Sequence, residues 1–87
     1  MRIEKELIVK RPDGIHARPA SEIVKRMKGF ESSVEVKYNS RIINAKSIIQ
    51  LMSLAVKQGE ALTVVIDGAD AEEALSSLEE ILCENAE

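Results

Sequence analysis

Apolar residues recur along the chain in four short stretches of mostly alternating pattern, which predicts four β-strands with one buried face each. Their apolar positions are, in chain order, Ile3, Leu7 and Val9; Val34 and Val36; Ile42 and Ile43; and Leu62, Val64 and Ile66. Turn-forming sequences separate these strands: residues 12–14 end the first, residues 38–41 form a hairpin turn between the second and third, and residues 67–68 end the fourth.

Three other stretches place apolar residues three and four positions apart, which predicts amphipathic helices. The predicted buried positions are Ala20, Ile23, Val24 and Met27; Ile48, Leu51, Met52 and Ala55; and Ala71, Ala74, Leu75, Leu78 and Leu82. Ser47 with Gln50, and Asp70 with Glu73, have the spacing of a capping box at the starts of the second and third helices. Residues 58–59, Gln-Gly, predict the end of the second helix.

The predicted order is strand, helix, strand, strand, helix, strand, helix. Each helix has a single apolar stripe, so we expect an α+β fold of two layers, with the helices on one face of a mostly antiparallel sheet. The chain has 87 residues, which supports one domain spanning residues 1–87. The hydrophobic pattern leaves the order of the strands in the sheet open.

Charge and composition exclude several classes of function. The net charge of −3 argues against direct binding to nucleic acid. The chain has one cysteine, Cys83, so it cannot form an intrachain disulfide. One cysteine and one histidine are too few ligands for a zinc site. The first six residues lack the apolar core of a signal peptide, and the longest apolar stretches are too short to span a bilayer. We therefore expect a cytoplasmic protein without metal, cofactor or membrane insertion.

His16, the single histidine, lies between a glycine turn and the predicted start of the first helix. Free backbone N–H groups and the helix dipole make such a position an anion site, and the guanidinium of Arg18 suits phosphate oxygens. An imidazole there can attack a phosphoryl group and hold it covalently. From these residues alone, a histidine exposed in a loop and a phosphoryl acceptor are equally acceptable interpretations.

Two motifs resemble those of a known family. The heptad from Gly14 to Ala20, Gly-Ile-His-Ala-Arg-Pro-Ala, resembles the active-site signature of HPr, the histidine-containing phosphocarrier of the phosphoenolpyruvate-dependent sugar phosphotransferase system. Asn-Ala-Lys-Ser-Ile at residues 44–48, followed by Leu-Met-Ser-Leu at 51–54, resembles the family's regulatory serine segment. The resemblance covers essentially the whole chain. It implies an open-faced sandwich with the element order βαββαβα, three helices on one face and the strand order 1-4-2-3.

The resemblance also implies roles for individual residues. His16 would accept a phosphoryl group through Nδ1 from enzyme I and pass it to enzyme II A components. Arg18 matches the active-site arginine, and the backbone N–H groups of Ala17 and Arg18 match the phosphate-facing amides. Ser47 matches the serine that an HPr kinase/phosphorylase modifies and that a catabolite repressor then recognises. The implied partner-binding surface comprises Ser21, Ile48, Ile49, Leu51 and Met52.

Two other functions are compatible with parts of the sequence. Residues 52–56 are closer to an HPr-like regulatory paralogue of bacilli, for which Ser47 modification and repressor binding would be the main activity. That paralogue lacks the active-site histidine, so His16 discriminates against it. The second alternative is a small anion-binding or protein-docking domain without covalent chemistry. On this interpretation Ser47 is a plain helix cap.

Overall fold

The chain folds into a four-stranded antiparallel sheet and three helices, which confirms the predicted α+β class. The computed structural model describes residues 1–11 and 17–83, with Ala17 and Arg18 described by their backbone only. The elements, in chain order, are β1 (Arg2–Ile8), α1 (Ala17–Met27), β2 (Ser33–Tyr38), β3 (Arg41–Asn44), α2 (Ile48–Met52), β4 (Ala61–Asp67) and α3 (Ala71–Cys83). The strands are ordered β1-β4-β2-β3, which confirms the order that the family resemblance implied.

The last strand, β4, lies inside the sheet and pairs antiparallel with both β1 and β2. Asp67 is opposite Arg2 on one side and opposite Ser33 on the other. On the outer side of β2, a two-residue turn leads directly into the edge strand β3. Asn39 and Ser40 in that turn have φ values of 49° and 67°, the left-handed pair typical of a type I′ hairpin.

One hydrophobic core lies between the sheet and the helices. It contains the predicted inward positions of β2 and β4 and all four predicted positions of α1. Outside α2, three predicted positions differ: Ile3 and Leu75 are only half-buried, and Ile42 is exposed on the outer face of the edge strand β3. Val65 alternates with core residues and therefore faces the other side of the sheet, where its neighbours across the strands are Glu4 and Glu35. None of the helices formed by residues 1–11 and 17–83 covers that face, as expected for an open-faced sandwich.

The second helix differs most from its prediction. It ends at Met52, six residues before the Gln-Gly sequence that was expected to stop it. Ala55 has φ = 55°, a left-handed conformation that no α-helix can continue through. Of the four positions predicted to be buried, only Leu51 is buried, and Ile48, Met52 and Ala55 are exposed.

The capping prediction for α2 is half right. Ser47 is the N-cap, and its hydroxyl accepts a hydrogen bond from Gln50 N at 3.4 Å. The side chain of Gln50 does not reach back to the backbone N–H of Ser47. Its Oε1 instead accepts from Asn44 N at 2.8 Å, while Ser47 N donates to the carbonyl of Asn44. The glutamine therefore ties the helix to β3.

Asp70 also acts at a distance rather than as a simple local cap. Its carboxylate accepts hydrogen bonds from Glu31 N and Ser32 N, both at 2.9 Å, and from the hydroxyl of Ser32. Ser32 is buried against Gly68, where a Cβ would lie 2.6 Å from Ser32 Cα. The loop before β2 and the loop after β4 are thus joined by one carboxylate and one close glycine contact.

We predict that this contact makes the protein sensitive to acid. Hydrogen bonds from the Ser32 hydroxyl and then Glu31 N hold the pKa of Asp70 below its ordinary value. A carboxyl group whose pKa is lower in the folded state than in the unfolded state stabilises the fold at pH values above its unfolded pKa of about 3.9. This stabilisation is lost as the pH falls towards the folded-state pKa. Urea unfolding of the wild type and Asp70→Asn should therefore differ most near neutral pH and converge in acid. Asp67→Asn, which removes an exposed carboxylate nearby, is the control, and an equal pH dependence in both variants would contradict the prediction.

Candidate functional site

The residues that precede the histidine segment are tied to the rest of the fold by backbone hydrogen bonds. Val9 N donates to the carbonyl of Glu60 at 2.9 Å, and Gly59 N donates to the carbonyl of Val9 at 2.7 Å. Lys10 N donates to the carbonyl of Leu82, in the last turn of α3, at 2.8 Å. The chain is therefore held from two sides up to the point where the described residues stop.

Arg11 is the last described residue before this segment, and its side chain is only 14% exposed. Nη1 donates to the carbonyl of Ile81 at 3.3 Å and lies 3.7 Å from Glu22 Oε1. The last turn of α3 contains no basic residue of its own, so Arg11 supplies the positive charge that a helix C-terminus favours.

Glu22 continues a chain of alternating charges from this point across two helices. Its other oxygen, Oε2, lies 3.5 Å from Nη2 of Arg26, one helical turn further along α1. Nη1 of Arg26 then lies 2.8 Å from Glu80 Oε1 on α3. The network joins Arg11, in the stretch of chain between β1 and the histidine segment, to both α1 and α3. The helix that follows His16 is therefore tied to the chain that precedes it.

Helix α1 begins at Ala17, immediately after the histidine. The backbone N–H groups of Ala17 and Arg18 are in the first turn, so they have no acceptor within the helix. The first turn of α1 contains no acidic residue that would neutralise its positive end. Pro19 and Ala20 are buried and fix this end of the helix against the core. His16 and the side chain of Arg18 lie outside the described residues.

The neighbouring helix α2 presents an apolar surface. The exposed fractions are 38% for Ile48, 78% for Ile49 and 45% for Met52. Ser47 is half-buried at the start of the same helix, and Ser21 is exposed on α1. Because α1 packs against α2, the structure places these two helices side by side in the helical layer. We call Ile48, Ile49 and Met52 the apolar patch.

Leu51, which the resemblance placed in the partner-binding surface, lies elsewhere. Its side chain is 1% exposed and belongs to the hydrophobic core. Leu51 is one position from Met52 and two positions from Ile49, and helix residues at these spacings do not share a face, so Leu51 anchors α2 from beneath. The candidate surface therefore does not include Leu51.

Sequence reasoning missed the residues that hold this helix in place. Asn44 receives or donates three local hydrogen bonds: its N–H to Gln50, its carbonyl from Ser47 N, and its Oδ1 from Lys46 N at 2.8 Å. Arg41, at the start of β3, reaches the C-terminal end of α2. The hydrophobic pattern carries no signal for either set of contacts, because both residues are polar and the pattern reports only the spacing of apolar residues.

Comparison with known proteins gives a consistent family. The family model described as "PTS HPr component phosphorylation site" matches residues 3–84. The chain is 42% identical over 73 residues to the phosphocarrier protein HPr of Lysinibacillus sphaericus, covering 84% of this chain and 83% of that protein. The chain belongs to the HPr family of phosphocarrier proteins.

Solved structures of HPr proteins agree with this fold. The crystal structure of the phosphocarrier protein HPr from Bacillus anthracis str. Ames is similar with a TM-score of 0.89 and 34% identity, over 93% of this chain and 96% of that one. Crh, the catabolite repression protein of Bacillus subtilis, is similar with a TM-score of 0.76 and 35% identity, over 98% of both chains. That Crh structure is a domain-swapped dimer.

Two kinds of feature are absent from residues 1–11 and 17–83. No three His, Cys, Asp or Glu side chains gather where they could hold a metal ion. No helix in this part of the chain is long and apolar enough to cross a membrane. The chain is thus a member of the HPr phosphocarrier family of the phosphotransferase system.

We predict that two neighbouring residues of α2 differ sharply in their contribution to stability. Leu51→Ala removes a buried side chain and should lower the free energy of unfolding by about 2–4 kcal/mol. Ile49→Ala truncates a side chain that is mostly in solvent and should change it by less than about 0.5 kcal/mol. Urea denaturation of both variants measures this difference. A Leu51→Ala protein as stable as the wild type would contradict the assignment of Leu51 to the core.

Proposed function

We propose that His16 accepts a phosphoryl group from enzyme I and passes it to enzyme II A components of the sugar phosphotransferase system in the cytoplasm. The observation that supports this most is the start of α1 directly after His16. Two backbone N–H groups without helical acceptors, those of Ala17 and Arg18, lie there at a helix N-terminus whose first turn contains no acidic residue. A histidine next to such a site has the chemistry of a phosphoryl acceptor rather than that of an incidental loop residue.

The proposed transfer uses His16 as a nucleophile. Nδ1 attacks the phosphorus, a new N–P bond forms, and the bond between phosphorus and its donor breaks, so that the donor leaves with its electron pair. The amides of Ala17 and Arg18 stabilise the charge on the phosphoryl oxygens, and the Arg18 guanidinium binds two of them. The same steps in reverse direction deliver the group to the enzyme II A component. No cofactor takes part.

The proposed docking surface for these partners is the apolar patch together with Ser21. Among the described residues, three of the six exposed large hydrophobic side chains lie on this one five-residue helix, and such clusters commonly mark interaction sites. The patch lies on the helix that packs against α1, whose N-terminus follows His16. We propose that a partner that covers the patch also reaches the phosphoryl site.

Ser47 is the proposed regulatory phosphorylation site. It precedes the apolar patch directly and is half-buried rather than enclosed. Its hydroxyl makes a long cap contact of 3.4 Å, so a kinase would displace little when it modifies the oxygen. We propose that an HPr kinase/phosphorylase adds phosphate there and that a catabolite repressor binds the product.

A mainly regulatory role is the second candidate. The similarity to Crh, the catabolite repression HPr of Bacillus subtilis, over 98% of both chains favours it. Phosphorylation by enzyme I separates the two candidates, because a phosphocarrier must accept the group on His16 and a purely regulatory protein need not.

The first prediction of this proposal concerns the phosphoryl acceptor. Incubation with enzyme I and phosphoenolpyruvate should add one acid-labile phosphoryl group to the wild type, measured as intact mass, and none to His16→Ala. Circular dichroism should show that His16→Ala is folded. Arg18→Ala should slow transfer, and Arg18→Lys should restore only part of the rate because a point charge lacks the two-nitrogen fork. Transfer to His16→Ala at the wild-type rate would exclude His16 as the acceptor.

The second prediction concerns Ser47. Phosphorylation would add about −1.5 to −2 charges beside the apolar patch. A partner that meets this surface with carboxylates should then bind more weakly, so transfer from enzyme I should slow, and a partner with a basic pocket should bind more tightly. Ser47→Asp carries less charge and should give smaller changes in the same directions. Ser47→Ala, which loses only the weak cap, is the matched control and should transfer at the wild-type rate. Unchanged transfer by the phosphorylated protein would leave Ser47 as a helix cap.

A further inference from the structure

The helix that carries the apolar patch is too short to be stable alone. Five residues form little more than one turn, and isolated helices need roughly 12–15 residues even when their composition is favourable. Its only buried residue is Leu51, which supplies one anchoring side chain. The orientation of Ile49 and Met52 must therefore depend on contacts that other elements make with the two ends of α2.

The N-terminal end of α2 is tied to β3 through Asn44. Gln50 Oε1 accepts from Asn44 N at 2.8 Å, and the carbonyl of Asn44 accepts from Ser47 N at 3.0 Å. Both contacts involve the backbone of Asn44, so their partner on β3 has a fixed position, although the first contact also requires the side chain of Gln50. They leave the other end of the helix unconstrained.

The C-terminal end is tied to the same strand through Arg41. Nη1 donates to the carbonyl of Ser53 at 2.9 Å, and Nη2 donates to the Ser53 hydroxyl at 2.8 Å. The hydroxyl in turn donates to the carbonyl of Gln50 at 2.6 Å. Two parallel hydrogen bonds from one guanidinium fix direction as well as distance, and the positive charge lies at the end of the helix that favours it.

The turn that follows needs such support because it is strained. Ala55 has φ = 55°, a left-handed conformation that is unfavourable for a non-glycine residue. Residues held in such conformations persist only where the surrounding structure determines them. Leu54 and Val56, on either side, are buried and hold one side of the turn. The guanidinium of Arg41 holds the residue before them, Ser53.

We propose that Arg41 is a positioning residue of the docking surface: its two hydrogen bonds to Ser53 hold α2 in the orientation that presents Ile49 and Met52 to a partner. The inference rests on the proposed function, because that function assigns the apolar patch to partner docking. Arg41 lies at the start of an edge strand, beyond the rigid hairpin turn at Asn39 and Ser40, so its Cα is fixed by the sheet. The strand transmits this fixed position to the helix.

The kinetic test compares variants of the full chain as substrates of enzyme I with phosphoenolpyruvate. Arg41→Gln should raise KM by about threefold to tenfold and change kcat by less than about twofold, the signature of lost binding without lost chemistry. Arg41→Lys should recover part of the KM because its single ammonium cannot span carbonyl and hydroxyl as the fork does. Arg2→Gln is the matched control: it removes the same charge from β1, the opposite edge strand of the sheet, and should leave both constants unchanged. A wild-type KM in Arg41→Gln, or an equal rise in Arg2→Gln, would overturn the proposal.

A second measurement, on the free protein, separates positioning from direct contact with a partner. Positioning predicts that Arg41→Gln shifts the methyl NMR signals of Ile49 and Met52 and speeds amide hydrogen exchange at residues 50–54 by more than it speeds exchange in β4. Unchanged signals and exchange in the free variant would overturn the proposal, even with a raised KM, because Arg41 would then contact the partner itself. If enzyme I fails to phosphorylate the wild type, the proposed function fails, and these exchange rates still decide whether Arg41 holds α2.

Discussion

The pairing of β1 with β4 is the constraint on which the rest of the structure depends. It brings residues 2–8 against residues 61–67, from nearly opposite ends of the chain, and closes the sheet around a central strand. Because β4 also pairs with β2, the same strand sets the position of the hairpin that carries Arg41. The pairing directs the end of β1 towards the last turn of α3, where Lys10 and Arg11 make their contacts. Loss of this pairing would release both sides of the candidate site together.

Hydrophobic periodicity predicted the elements that bury a complete stripe and failed for the one that does not. All four apolar positions of α1 are buried, as are the inward positions of β2 and β4. In these elements the spacing of apolar residues in the sequence matches the spacing of buried residues in the structure. In α2 the same spacing of apolar residues occurs, yet three of the four side chains are exposed. An apolar stripe reports that residues share a helix face. It does not report whether the face meets the core or a solvent-exposed surface. The left-handed conformation of Ala55 was also beyond the pattern, because alanine is the residue that most favours helix continuation.

Two polar residues that were predicted to cap helices bind other elements of the fold instead. Asp70 and Gln50 both have capping-box spacing, but Asp70 binds the loop before β2 and Gln50 binds β3. A carboxylate or amide oxygen accepts from any N–H within reach, and sequence spacing gives only the local candidates. The strand order decides which distant N–H groups come within reach, and the hydrophobic pattern left that order open. The two motifs around His16 and Ser47 carried the family assignment. The contacts that position those motifs, from Arg11 and Arg41, became visible only with the tertiary structure.

The three helices divide into two classes by the charge of their first turns. This difference supports the proposal that phosphoryl groups are carried at the starts of α1 and α2. Helix α3 has Glu72 and Glu73 in its first turn, which compensate its positive end. Helices α1 and α2 have no acidic residue there, so any compensation must come from elsewhere in the chain or from an external anion. The motif residues His16 and Ser47 directly precede these two helices and not α3. A fold that needed its helix ends only for stability would gain from an acid in every first turn, worth typically 0.3–1 kcal/mol each. At the two positions where a phosphoryl group is proposed to arrive, such an acid would repel it, and the sequence has none.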